Sequence, residues 1–585
     1  MKKYIPDIFI CLLIITAGLV IYARLGNYDY ILYDDMSSIY DPFLTSGISL
    51  EKIIRTFSDP PAHLPYRVPV PTLVRLVLWE FVGGNAGGHH LFSLYLHLVI
   101  ALLLFILLRL TTGKTVESGF CALLFTVHPV NVEAVSWLAG FNGLLEAFFL
   151  ILCLICYAVY VRKPSLSRYL LIFPPFILGL MSKPSMVVVP FLMILFDFWP
   201  LARFSLRRTG LKQIFTGILH NRIILEKIPL LVLVPLQMGL GDLLATGRVM
   251  HTGPASLRLY PGSLVDFFFH LKKVVFPAGL TIGRPDPPEA TFLAAAGVIM
   301  IILLISVIIL WRANSHRYLV TGWFWFLTAA SPAALVLALS GRPVEDHHLY
   351  IPLIGLFIMV VFGLSAIISK RGYGRGFFLI PAVIVVNLLA VVSYHQVGYW
   401  RDSLTVFSHA LDVYPDNKKA LVILGDAYMK EDRGEQARRC YRQFLMFAPD
   451  SALGHTKLAD ALAAAGQTST AVRHYRKAMA LSPDYAPAYH DLADLMMDMG
   501  KTDQAIALYR KALNINPDLF QTHNNLALAL FKRGFFREAC DHLNLALKIN
   551  PAYQTAAGNL QIILDATGKR GNKTRPAGIG NSEQE

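Results

Sequence analysis

The chain has 585 residues, 55% of them hydrophobic and only 16% charged, with a mean hydropathy of +0.50. That apolarity excludes a soluble globular protein and points to a polytopic membrane protein. The formal charge of +14 would suit nucleic acid, but the basic residues fall in short clusters between apolar runs, where they act as topology signals, so no nucleic-acid partner is expected.

A helix needs about 20 apolar residues to cross the hydrocarbon. By that length the sequence predicts eleven spans, near residues 6–25, 91–109, 117–134, 141–161, 168–182, 186–201, 223–240, 291–311, 318–340, 350–369 and 377–395. The first follows Met-Lys-Lys and reads as an uncleaved anchor, since no small-residue cleavage site follows it and many spans do. The spans at 168–182 and 186–201 are short. The stretch VDFFFHLKKVVFPAGLTIG carries Lys272, Lys273 and Pro277 and is expected to lie in the interface, not to cross.

With a cytoplasmic N-terminus, seventeen Lys and Arg fall in cytoplasmic connections, against Lys183 and Arg342 in the short outer loops. Basic residues concentrate on the cytoplasmic side of membrane proteins. The odd number of spans then sends the C-terminal part outside. The expected location is the bacterial inner membrane with site and repeats periplasmic, or the endoplasmic reticulum membrane with both lumenal in a eukaryote.

From Tyr399 onward the chain is polar and repetitive. Pro415, Pro449, Pro483, Pro517 and Pro551 recur at 34 residues, and Leu424, Leu458, Leu492 and Leu526, then Gly425, Ala459, Ala493 and Ala527, keep the period. Tyr441, Tyr475 and Tyr509 hold an aromatic position taken by Leu543 in the fourth copy. This is similar to the tetratricopeptide repeat, in which small residues let paired helices approach and proline ends the second helix. The predicted fold is all-α: a membrane domain over 1–396, a repeat solenoid with a half-unit and a capping helix over 397–568, and a disordered tail over 569–585. A solenoid of this kind offers a concave face to an acceptor or partner protein.

Chemistry is expected in the membrane domain. Cys153 and Cys156 sit in an apolar helix, and Cys440 and Cys540 lie too far apart in the array for a disulfide. No phosphate-binding loop and no zinc helix is present. Polar residues instead gather at the outer ends of spans. They are Asp34 and Asp35 in ILYDDMSSIYD, Arg67 in PYRVPVP, and His90 and His97 in GGHHLFSLYLH. HPVNVEAVSWLAG adds His128, Glu133 and Trp137, MSKPSM adds Lys183, and SGRPVEDHHLYIP adds His347 and His348.

YDD, HPVNVEAVSW, SKPSMVVVPFLMILFDFWP, EDHHLYIP and YWRDSLTVFSHALDVYPDN together resemble, in order along nearly the whole chain, the transmembrane and tetratricopeptide-repeat-containing O-mannosyltransferases and their bacterial relatives. These belong to the GT-C glycosyltransferases. The resemblance implies a polyprenyl-phosphate sugar, a mannose carrier, as donor and the acidic pair of the first outer loop as the catalytic mark. Three positions depart from the family pattern: Phe141 stands where an Arg is usual, Gly143 where an acidic residue is usual, and His348 where an Arg precedes LYIP.

Inverting transfer to a Ser or Thr hydroxyl needs a carboxylate to take the proton and cations to stabilise the departing phosphate. Asp34 is the expected base, with Asp35 supporting it or holding a divalent metal ion; no other cofactor is expected. Arg67, Lys183, His347 and His348 are candidates for the donor phosphate. His90, His128, Glu133 and Trp137 are candidates for the sugar or acceptor pocket. A lipid or polysaccharide glycosyltransferase of the same fold, and a non-enzymatic scaffold binding proteins through its repeats, remain the alternatives.

Overall fold

The computed structural model describes residues 5–33, 35, 42–45, 47–58, 68–204, 222–235, 260–285, 291–340, 342–372, 376–551 and 553–573. Asp34, Asp41 and Arg67 lie outside the described residues. Every regular element among the described residues is helical, as the all-α expectation requires. The chain divides into two compact units, Met1–Asn417 and Lys418–Glu585.

Apart from single-turn helices, the first unit contains α1 (Ile5–Tyr22), α2 (Leu50–Ser58), α3 (Pro69–Val82), α4 (Ala86–Thr112), α5 (Thr115–Val127), α6 (Val132–Ser136), α7 (Phe141–Arg162) and α8 (Phe173–Leu180). It continues with α9 (Val189–Phe198), α10 (Pro261–Val275), α11 (Phe292–Trp311), α12 (Arg317–Ser340), α13 (Pro352–Lys370), α14 (Gly376–Gly398) and α15 (Ser403–Val413). Seven stretches among the described residues are long and apolar enough to cross a bilayer: Ile5–Asn27, Ala86–Thr112, Leu138–Arg162, Phe292–Trp311, Arg317–Ser340, Pro352–Lys370 and Phe377–Gly398. They coincide with seven of the expected spans, and the chain is a membrane protein.

Of the other four expected spans, three differ, each for a local reason. α5 and the following Pro129–Ser136 stretch form an eighth candidate, bent by 52°. His128 precedes Pro129, and the residue before a proline is driven out of the helical region; here it adopts φ −74° and ψ 127°. The spans expected at 168–182 and 186–201 are apolar helices covering Leu166–Leu180 and Pro184–Phe198, shorter than a single crossing requires. Only residues 223–235 of the span expected at 223–240 are described.

Packing in this unit combines close backbone approach with paired charges. A Cβ at Gly322 of α12 would lie 2.4 Å from the Gly355 carbonyl oxygen of α13, and one at Gly355 would lie 2.3 Å from that of Gly322. Only glycine permits this contact, the usual device for packing membrane helices. Asp197 and Lys227, both buried, pair at 2.5 Å, and the Tyr157 hydroxyl donates to Asp197 at 2.7 Å. Arg203 joins Asp197 to Glu226. An isolated charge away from water is prohibitive, so this neutral set of two acids and two bases is what lets α7 and α9 carry polar groups there.

The stretch expected to lie in the interface forms α10, whose two lysines part company: Lys272 is exposed and Lys273 buried. The half-unit WRDSLTVFSHALDVYP belongs to the first unit. α15 is capped by Asp402, which accepts from Thr405 N at 2.7 Å. Ser403 Oγ accepts from Leu32 N at 2.8 Å, His409 Nε2 donates to the Leu280 carbonyl at 3.1 Å, and Asn417 donates to the Gly283 carbonyl at 2.6 Å.

The second unit is the predicted solenoid: α16 (Lys418–Lys430) with α17 (Gly434–Phe447), α18 (Ala452–Ala464) with α19 (Thr468–Leu481), α20 (Ala486–Asp498) with α21 (Thr502–Ile515), α22 (Phe520–Arg533) with α23 (Phe536–Ile549), then α24 (Gln554–Lys573). Each second helix stops two residues before its proline. Ala459, Ala493 and Ala527 are fully buried, and Tyr441, Tyr475 and Tyr509 almost so. The turn between paired helices passes through a left-handed residue, Gly466, Gly500 and Gly534 in three repeats and Asp432 in the first, a conformation glycine and, less easily, aspartate adopt.

Candidate active site

The bend after α5 places the Glu133 carboxylate and the Trp137 indole where the YDD loop and the EDHH turn meet. Asp35 is fully buried. Its Oδ1 accepts from Ala139 N at 2.8 Å and its Oδ2 from Ile31 N at 3.1 Å. Two backbone donors at a buried carboxylate favour its ionised form, and they tie the YDD loop to the turn that follows Trp137. The Trp137 ring lies between Tyr33, at 5.9 Å, and His347, at 5.2 Å. Tyr33 in turn meets Phe407 of α15 at 6.2 Å. The half-unit thus buttresses the acidic loop.

Glu133 of α6 reaches the EDHH turn. Its Oε1 accepts from His347 Nδ1 at 2.5 Å and its Oε2 from Asp346 N at 3.3 Å. Asp346 is anchored by buried Lys273 at 2.8 Å and by His270 Nε2 at 3.2 Å. Burial opposes its charge, yet Lys273 and His270 hold its carboxyl well below the usual range. Burial first, and then the Lys183 charge, push the His347 imidazole down to about 3, so that it is neutral at physiological pH. His348 is driven down by burial, His347 and Lys183, and its Nδ1 accepts from Glu345 N at 3.1 Å, capping the turn.

Lys183 points its ammonium at Glu146 of α7, 3.4 Å away, and Ser185 Oγ donates to the other Glu146 oxygen at 2.5 Å. A Cβ at Gly143 would lie 4.0 Å from Lys183 Nζ. The carboxylate beside Lys183 therefore comes from residue 146, one turn after Gly143. Arg75 of α3 lies over the Phe141 ring at 5.9 Å, and burial works against its charge while Asp35 works for it. A guanidinium thus stands at position 141 although the residue there is Phe.

Among the residues expected from sequence, Asp35, Glu133, Trp137, Lys183, His347 and His348 converge on this region. His128 and His90 serve other ends. His128 Nδ1 accepts from Val130 N at 3.3 Å and its Nε2 donates to the Val274 carbonyl at 3.0 Å, so both ring nitrogens are spent on holding the bend against α10. His90 Nε2 lies 3.3 Å from the Asp29 carbonyl, behind the acidic loop. Asp34 and Arg67 lie outside the described residues. Sequence reading missed Arg75, Glu146, Glu345, Asp346 and Lys273. The one available signal was an acid and a base at span ends with no topological use.

Models of the tetratricopeptide repeat match residues 424–486 and 462–529. A thermophilic TPR protein of Thermus thermophilus, solved as a crystal structure, is 22% identical and covers 31% of this chain and 94% of its own, with a TM-score of 0.26. The crystal structure of MamA is 26% identical over 26% of this chain and 87% of its own, with a TM-score of 0.23. Protein O-mannosyl-transferase TMTC4 of Homo sapiens is 24% identical over 497 residues, covering 74% of this chain and 66% of that protein. A protein O-mannosyl-transferase of Caenorhabditis elegans is 22% identical over 466 residues, covering 75% and 62%. The chain spans a little under two thirds of the length of these relatives. In sequence, in its apolar helices and in its repeats, the chain resembles the transmembrane and tetratricopeptide-repeat-containing O-mannosyltransferases.

Proposed function

We propose that the protein is a membrane glycosyltransferase that moves a sugar, mannose in keeping with the names of its relatives, from a polyprenyl-phosphate donor to Ser or Thr hydroxyls of exported proteins, with inversion. The observation that carries this reading is the meeting of the YDD loop, Trp137, the EDHH turn and Lys183 in one buried region. Asp34 takes the hydroxyl proton as attack begins, and Asp35, locked by Ala139 N and Ile31 N, fixes the loop that presents it. Lys183, with Arg67 and Arg75, stabilises the phosphate that leaves. The Trp137 face stacks on the sugar. The repeats hold the acceptor protein. The strong excess of basic residues in alternate loops supports an outward-facing site and an outward-facing solenoid.

The test is transfer from a polyprenyl-phosphate mannose to a short Ser/Thr peptide by the purified chain. Asp34→Asn should lower it by roughly 10²- to 10⁴-fold, as for a lost general base. Asp41→Asn, in the same loop before Pro42, should change it little. Equal transfer by the parent and Asp34→Asn would overturn the assignment.

A further inference from the structure

We propose that Glu133, Glu345 and His347 form a binding site for one divalent transition-metal ion, Mn²⁺ or Zn²⁺. One ligand atom from each of the three lies within 4.8 Å of the other two. Ligands sharing an ion at bonds of about 2.1 Å stand roughly 3 to 4.2 Å apart, so side-chain shifts of roughly half an ångström or more, opening the Glu133–His347 pair and drawing Glu345 in, complete the set. Two carboxylate oxygens and one imidazole nitrogen suit these ions, and three protein ligands leave positions open for an outside oxygen.

The arrangement around His347 Nδ1 favours an ion over a simple hydrogen bond. That nitrogen lies 2.5 Å from Glu133 Oε1 and 3.6 Å from Glu345 Oε2. It carries one hydrogen at most, and 3.6 Å is too long for a hydrogen bond. An ion serves both carboxylates at once. Glu133 and Glu345 are 4% and 8% exposed, and buried carboxylates gathered in one place call for positive charge.

A second observation points to a ligand at the same place. The Trp137 ring, 8% exposed, packs against the His347 imidazole, yet among the described residues its indole N–H has no acceptor, and neither has the buried hydroxyl of the adjacent Ser136. A buried donor left without a partner is destabilising. Oxygens carried by the ion, from water or phosphate, are the acceptors that these groups lack. The groups that would hold the ligands in place are already present, since Asp346 N fixes the other oxygen of Glu133 and Lys273 and His270 fix Asp346. Where the proposed function holds, the open positions take the donor phosphate; that clause rests on that reading, and metal binding does not.

The full-length chain, purified in detergent and stripped with chelator, is titrated with Mn²⁺ and followed by its electron paramagnetic resonance. One ion per chain is expected, with a nitrogen hyperfine coupling that changes when histidine is labelled with ¹⁵N. Glu345→Gln and His347→Asn should each weaken binding by at least about tenfold, and Zn²⁺ should displace the signal. Mn²⁺ should also raise the melting temperature of the parent and not of the variants, which guards against a variant that fails to fold. Absence of a saturable site, absence of the nitrogen coupling in the parent, or equal binding by folded variants would overturn the site. Metal binding without sugar transfer would overturn the proposed function and leave the site standing.

Discussion

At the level of single residues, the region around Lys183 rests on one ion pair in which the carboxylate is buried. Glu146 is 5% exposed and Lys183 only partly exposed, so removing one charge leaves the other poorly solvated. Glu146→Gln should lower thermal stability by about 1–3 kcal/mol and reduce sugar transfer, because the Lys183 ammonium loses its tether. Gly143→Asp added to that variant should recover much of both, since a Cβ at 143 would lie 4.0 Å from Nζ. Melting temperature and transfer rate of the single and double variants decide it. A double variant no better than the single would mean that Glu146 acts through Ser185 and not through Lys183.

At the level of elements, the solenoid carries an electrostatic strain that its repeat pattern exposes. Asp491 on α20 has its pKa raised to about 7, by burial first and then by the carboxylates of Asp460 and Asp494, and Asp460 itself is raised to about 6. A carboxyl whose pKa is higher folded than unfolded holds its proton more tightly in the folded state. Its stabilising effect is complete below about pH 4 and is lost as pH rises through 6 to 7. The solenoid should therefore melt at a lower temperature at pH 8 than at pH 5. The residue at the same register is Lys457 one repeat earlier and Asn525 one repeat later, and Asn525 donates to Asp494 at 3.0 Å. Asp491→Asn should stabilise the chain by about 1–2 kcal/mol at pH 8 and by little at pH 5. Calorimetry at the two pH values checks the sign; stabilisation equal at both would place the effect in packing.

The same elements show what the sequence displays and what it hides. A period of 34 residues and a run of about 20 apolar residues are local patterns, set by one helix pair or one bilayer thickness. They were legible, and so were the buried Ala and Tyr positions. The short helices at Leu166–Leu180 and Pro184–Phe198 were less so, because composition matches a span while length does not. In the site, Trp137, Glu133 and His347 stood out as polar groups at span ends. Their joining is a contact across more than two hundred positions, which no local pattern records. His128 illustrates the converse: a polar residue beside a site signal, used wholly by two backbone groups.

At the level of the whole molecule, the division at Asn417 separates what supports the site from what lies beyond it. α15 has the sequence of a half repeat, yet within the first unit it bonds Leu32 through Ser403 and meets Tyr33 through Phe407. The following residues hold the loop after α10: Tyr414 accepts from Arg284 at 3.1 Å, and Arg284 also bonds Asp266 and the Val344 carbonyl just before the EDHH turn. Removing this segment would free both the acidic loop and the turn that carries His347. A chain ending at Asn417 should therefore still insert, remain monodisperse in detergent and transfer sugar to a short Ser/Thr peptide, while transfer to an intact exported protein falls sharply. A chain ending at Gln396 should lose both, although it retains every expected span. Because catalytic geometry tolerates displacements of only about an ångström, the loss on the short peptide should exceed about 10²-fold. Equal activity of the two truncations would show that α15 is the first element of the repeat array and not a support of the site.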